Sequence, residues 1–75
     1  MPGRGVELPG LRDARLRAAL TQEELAAKSG VGRATIARLE TGSRAGVASM
    51  RELAKALGVT PGALMEGPQG KALAA

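Results

Sequence analysis

Apolar positions along the chain recur at helical rather than strand spacing. In residues 11–20, LRDARLRAAL, Leu11, Ala14 and Ala18 follow steps of three and four with Arg and Asp between them. Leu20 carries the stripe to the next break. This predicts a first helix with Pro9 in its first turn, where the ring's fixed φ is already helical. Thr21 then opens TQEELAAKSG, with Glu24 three residues on, the signature of a capping box. Leu25 and Ala26 face inward in this second helix, and Gly30 ends it by supplying the left-handed backbone that other residues adopt only at a steric cost.

The third helix starts close behind, with Gly32 in the cap position, and runs from Arg33 to about Thr41 before Gly42 stops it. At about 100° per residue, Ile36 and Leu39 point one way. Arg33, Ala34, Ala37, Arg38 and Thr41 point the other, with Thr35 at the boundary. SRAG, residues 43–46, reads as a loop. Val47, Met50, Leu53, Ala54 and Leu57 then mark a cleanly amphipathic fourth helix closed by Gly58. Thr60 caps a last short helix with Pro61 at its first position and Leu64 and Met65 as its apolar contacts. The pattern predicts an all-α fold of five short helices with no strand and no internal repeat. Residues 1–7 read as a flexible N-terminal arm, 8–66 as the domain and 67–75 as a loose C-terminal tail.

Composition narrows the chemistry. Seventy-five residues suffice for one small domain. The chain has no Cys, no His and no Phe, Tyr or Trp. Disulfides, thiolate metal sites and the usual general base are therefore excluded, and neither a metal nor a cofactor is expected. Ser29, Ser43 and Ser49 have no His partner for a triad. Glu23 and Glu24 are adjacent on one helix and do not face each other across a site. With no P-loop either, catalysis is not expected. A net charge of +4 suits a polyanionic partner. No apolar run approaches a membrane span and MPGRGVELPG has no signal-peptide core, so a cytoplasmic location is expected.

Two short helices joined at Gly30 form the core of a helix-turn-helix. Counting Gln22 as the first position, Ala26 is fifth, Gly30 ninth, Ile36 fifteenth and Leu39 eighteenth. Ala26 is small where the helices cross closely. Gly30 supplies the turn. Val31, Ile36 and Leu39 hold the second helix at a fixed angle so that its opposite face projects outward.

TQEELAAKSGVGRATIARLETG followed by MRELAKALGVTPGAL resembles the DNA-binding domain of the phage repressor, Cro and Xre regulators, over about residues 8–65. That resemblance implies a five-helix, lambda-repressor-like domain with its helix-turn-helix motif at residues 22–41. It implies that Gln22 contacts a backbone phosphate and braces the recognition helix, whose base-reading face holds Arg33, Ala34, Thr35 and Arg38. Arginine pairs in a bidentate way with guanine, alanine suits a thymine methyl, and threonine bonds a phosphate or packs. With no Gln or Asn on this face, guanines are expected in the half-site. The resemblance also places Thr41, Ser43 and Arg44 against the DNA backbone, where amides around Gly42 suit a phosphate. It pairs Arg15 with Glu40 in a structural salt bridge. It implies double-stranded DNA as the partner, as an inverted-repeat operator bound by a homodimer, with Leu64, Met65 and Leu73 as candidate dimer contacts. The expected function is a transcriptional regulator acting as a repressor or autoregulator. The alternative is an antitoxin that uses the same domain for autoregulation and a tail for a toxin partner.

Overall fold

The computed structural model describes residues 5–74, with side chains described for 5–67. Its elements in chain order are β1 (Val6–Glu7), α1 (Leu11–Arg17), α2 (Gln22–Ser29), α3 (Arg33–Glu40), β2 (Arg44–Ala45), α4 (Val47–Leu57) and α5 (Pro61–Ala74). The five helices fall where the periodicity places them. α2 packs on both α3 and α4, and α1 lies against α3 and α5. Each helix sends one fully buried aliphatic side chain to the centre: Leu11, Leu25, Ile36, Leu53 and Leu64, joined by Leu8 from the lead-in segment. Each such burial contributes about 1.5–3 kcal/mol. This is how a chain without aromatic residues builds one continuous core.

The local punctuation holds where it was encoded. The Thr21 hydroxyl accepts from the Glu24 amide at 3.0 Å, and the Thr21 amide donates to Glu24 Oε1 at 2.8 Å. Gly30 adopts φ 80°, ψ 3°, and Gly32 caps α3 in an extended conformation. Thr60 accepts from the Ala63 amide at 3.2 Å.

Tertiary contacts overrode the pattern at several places. Pro9 lies outside α1, whose cap is Gly10. The Gly10 amide donates to the Leu64 carbonyl at 2.8 Å, and a Cβ at Gly10 would stand 2.6 Å from the Ala63 oxygen. The close approach to α5 therefore sets where α1 begins. At its other end α1 stops at Arg17 instead of running to Leu20. Ala19 takes φ +59°, its amide donating to the Leu16 carbonyl at 3.0 Å and that of Leu20 to the Arg15 carbonyl at 3.1 Å. This is a Schellman closure with alanine in the left-handed position that glycine usually fills.

The expectation of no strand is corrected. Val6–Glu7, assigned to the flexible arm, pairs antiparallel with Arg44–Ala45 from the predicted loop, in the register Val6↔Ala45 and Glu7↔Arg44. Two residues per strand carry too little alternation to read as β structure. Residues 1–4 of the expected arm lie outside the described residues. Val47 is 50% exposed, so the buried stripe of α4 begins one turn later, at Met50. Met65, expected inside, is 41% exposed on α5. The backbone beyond the non-helical Gly67 is helical as far as Ala74, where a loose tail was expected.

Candidate nucleic-acid interface

The motif is positioned from its buried side outward. Ile36 and Leu39 of α3 and Leu25 of α2 lie in the core, with Val31 closing the turn between the two helices. Ser29, a nucleophile without a base in the sequence, is buried, and its hydroxyl accepts from the Val31 amide at 3.1 Å. That bond satisfies an amide the turn would otherwise leave unpaired. A buried serine one residue before a turn glycine is the local signal that marks this role.

With that side anchored, Arg33, Ala34 and Arg38 are left exposed on α3 and Thr35 is half-buried. Thr41, Ser43 and Arg44 continue the exposed surface past the helix end. Among the described residues the ion pairs are Arg15–Glu40 and Arg17–Asp13, so Arg33, Arg38 and Arg44 are in none, although Glu7 stands across from Arg44 in the strand pairing. Such charge in a protein of net +4 attracts a polyanion.

The same helix has a closed flank. Glu40 Oε2 receives Arg15 Nε at 2.6 Å, and Oε1 receives Arg15 Nη2 at 3.0 Å and Gln22 Nε2 at 3.1 Å. Arg15 Nη1 donates to the Leu20 carbonyl at 2.8 Å. Arg15, only 9% exposed, thus ties the end of α3 to α1 and to the α1–α2 turn. Its pKa is raised, chiefly by the hydrogen bond to Glu40. Burial pushes the Glu40 carboxyl up, but the hydrogen bonds from Arg15 and Gln22 and the charges of Arg15 and Arg12 outweigh it. The carboxyl is held below the ordinary value. Among the described residues, no buried side-chain polar atom lacks a partner.

Gln22 therefore has one amide N–H in this bridge and one left over. Around it, Thr21, Gln22, Glu23, Arg15 and Arg33 line a shallow hollow at the N-termini of α2 and α3. The capping box consumes the amides of Thr21 and Glu24, so those of Gln22 and Glu23 remain directed along the helix axis. A second hollow lies between α1 and α3 and is lined in part by Arg12, a residue that no sequence motif marks.

One expectation about the loop is corrected. The amides of Thr41 and Ser43 donate to the Arg38 carbonyl, each at 3.1 Å, and that of Gly42 to the Leu39 carbonyl at 3.3 Å. They satisfy the end of α3 and are not free for an anion. Thr41 Oγ1 also donates to the Arg38 carbonyl, at 2.9 Å. What the loop presents is the Ser43 hydroxyl and the Arg44 guanidinium, held by the pairing of β2 with β1. The dimer contact sketched from α5 also changes. Leu64 is fully buried and unavailable, Met65 is exposed, and the side chain of Leu73 lies outside the described residues.

A family model for helix-turn-helix domains matches residues 11–64, from the first residue of α1 to the buried leucine of α5. The chain belongs to the Cro/Xre-type helix-turn-helix family. It is accordingly a DNA-binding helix-turn-helix regulator with the lambda-repressor-like arrangement of five helices. The small β1–β2 pairing brings a segment before the matched region against the loop that follows the recognition helix. No curated protein matches the chain, and no solved structure does. Among the described residues, no helix is long and apolar enough to cross a membrane.

Proposed function

We propose that this protein is a sequence-specific repressor of the Cro type that controls its own gene from an inverted-repeat operator, bound as a homodimer in the cytoplasm. The observation that carries this reading is the division of α3: Ile36 and Leu39 are locked in the core while Arg33, Ala34 and Arg38 stand exposed without an ionic partner. A rigid helix with such a face fits the major groove.

In this reading Arg33 and Arg38 pair with guanine O6 and N7, each adding about 1–3 kcal/mol of discrimination. Ala34 meets a thymine methyl, and Thr35 bonds a phosphate or packs at the groove edge. Gln22 spends its spare N–H on a phosphate seated at the α2 N-terminus, where the helix dipole favours an anion. Ser43 and Arg44 hold the backbone on the other side of the groove, and the Thr41 hydroxyl, its proton given to the Arg38 carbonyl, joins them by accepting from a water that bridges to a phosphate. A two-fold dimer sets the recognition helices about 34 Å apart, one turn of DNA.

The experiment is a titration of the purified protein onto the DNA upstream of its gene, against random duplex of equal length, at two salt concentrations. The proposal expects a tight, footprinted, two-fold symmetric site. Weak binding that ignores sequence and vanishes with salt would leave only phosphate attraction and overturn it.

A further inference from the structure

Among the described residues Arg12 makes no ion pair that accounts for its position; its charge is the smallest of the causes that hold the Glu40 carboxyl low. Arg12 is the second residue of α1, where the helix dipole disfavours a cation. The acidic residue of the same turn, Asp13, pairs with Arg17 at 2.8 Å instead. Arg12 is exposed and, among the described residues, in no ion pair. Yet it borders the hollow between α1 and α3, together with Arg15, Gln22, Ala37, Glu40 and Thr41. Within that hollow Glu40 offers no vacant charge. Both its oxygens already accept from Arg15, and one accepts also from Gln22. The free cation at the rim is therefore Arg12, and Ala37 beside it leaves the space open.

We propose that the hollow between α1 and α3 is a phosphate seat, in which Arg12 binds a backbone phosphate of the DNA strand that flanks the recognition helix. The inference rests on the DNA-binding reading of α3 and extends its footprint onto α1. The seat adjoins the hollow at the α2 N-terminus, with which it shares Arg15 and Gln22, and differs from it in having Arg12 where that one has Arg33; Arg44 lies beyond the far end of α3. The guanidinium suits the site because it can reach a phosphate oxygen with two parallel N–H groups while Ala37 adds no bulk. The contact is sequence-independent, so it sets affinity and register without choosing bases.

The test compares wild type, Arg12→Ala and Arg12→Lys on two duplexes, the DNA upstream of the gene and a random sequence of equal length, across a salt series. Thermal unfolding of each protein is measured alongside. The proposal expects Arg12→Ala to weaken binding to both duplexes by a similar factor, about tenfold at low salt. The slope of log affinity against log salt should shrink by about 0.9. The melting temperature should hold within a degree or two, because relief at the positive end of the helix dipole offsets the small loss of charge beside Glu40. Arg12→Lys should restore the slope. If wild type binds DNA and Arg12→Ala leaves affinity and slope unchanged, the seat is wrong while the regulator reading stands. A lower melting temperature with an unchanged salt slope would make Arg12 only a support for Glu40 and would likewise overturn the seat. Failure of the wild type to bind either duplex would instead remove the reading on which the inference rests.

Discussion

Glu40 and Arg38 lie two residues apart on the recognition helix and live in different physics. Glu40 is enclosed: both oxygens accept charge-assisted hydrogen bonds from Arg15, and Gln22 adds a third bond. Arg38 stands exposed, with no ionic partner among the described residues. The enclosed flank fixes the angle of α3 against α1 and α2. The open flank leaves its charge for an external anion. An orienting charge needs a partner inside the protein, and a charge left for an outside anion needs the lack of one. Composition counts both as charged residues and cannot separate them.

Breaking the enclosed flank should have the largest effect. Glu40→Ala leaves Arg15 nearly buried with no counter-charge, a loss of about 3 kcal/mol. The melting temperature should fall by on the order of 15 °C. A thermal scan that moved by only a degree or two would show that the network orients without stabilising. Its pH dependence sharpens the point. The Glu40 carboxyl is held below its ordinary value of 4.5, so its stabilisation is complete above that pH and disappears as pH falls through the lower folded value. Melting temperatures from pH 7 down to pH 3 should show this acid loss in wild type and a shallower one in Glu40→Gln.

The open flank should respond in the opposite way. Arg38→Ala should leave the melting temperature alone and cost about 1–3 kcal/mol of specific binding, with little change on random duplex. Arg44→Ala should weaken both duplexes alike and lower the salt slope by about one. Equal losses from Arg38→Ala and Arg44→Ala in competition binding would mean that neither arginine reads bases. The smallest effect belongs to the turn that anchors Arg15. Ala19 pays a left-handed penalty at φ +59°, so Ala19→Gly should stabilise by about 0.5–1 kcal/mol, readable by denaturant titration. A destabilised Ala19→Gly would mean that the gain in unfolded-chain entropy outweighs the relief of strain.

Much of the site was legible because its signals are local. The separation of Ile36 and Leu39 from Arg33, Ala34 and Arg38 follows from helical geometry alone. Arg12 was harder to see. Its only sequence signal is a cation in the first turn of a helix, and that signal has meaning only once the end of α3 is known to lie beside it. The amides of Thr41, Gly42 and Ser43 misled for a related reason. A glycine after a helix offers amides in principle, but the three-dimensional end of α3 claims them for its own carbonyls. Gln22 was read as both brace and phosphate contact. The structure shows the brace, Gln22 Nε2 donating to Glu40 Oε1 at 3.1 Å, and the phosphate contact is left to the binding experiments.

By itself the sequence determined the five helices, the Thr21–Glu24 box, the turn at Gly30 and the two-sided character of α3. Each of these depends on residues within one or two turns of one another, and their energies are settled by backbone geometry and helical period. Only the tertiary structure decided that α1 ends at an alanine in a left-handed conformation, that Val47 and Met65 stay half outside the core, and that Val6–Glu7 pairs with Arg44–Ala45. The strand pairing, Val6 with Ala45 and Glu7 with Arg44, joins residues 39 and 37 positions apart in the chain. At such separations the choice belongs to packing and close backbone approach, which overrule local preference when a small core has only one way to close.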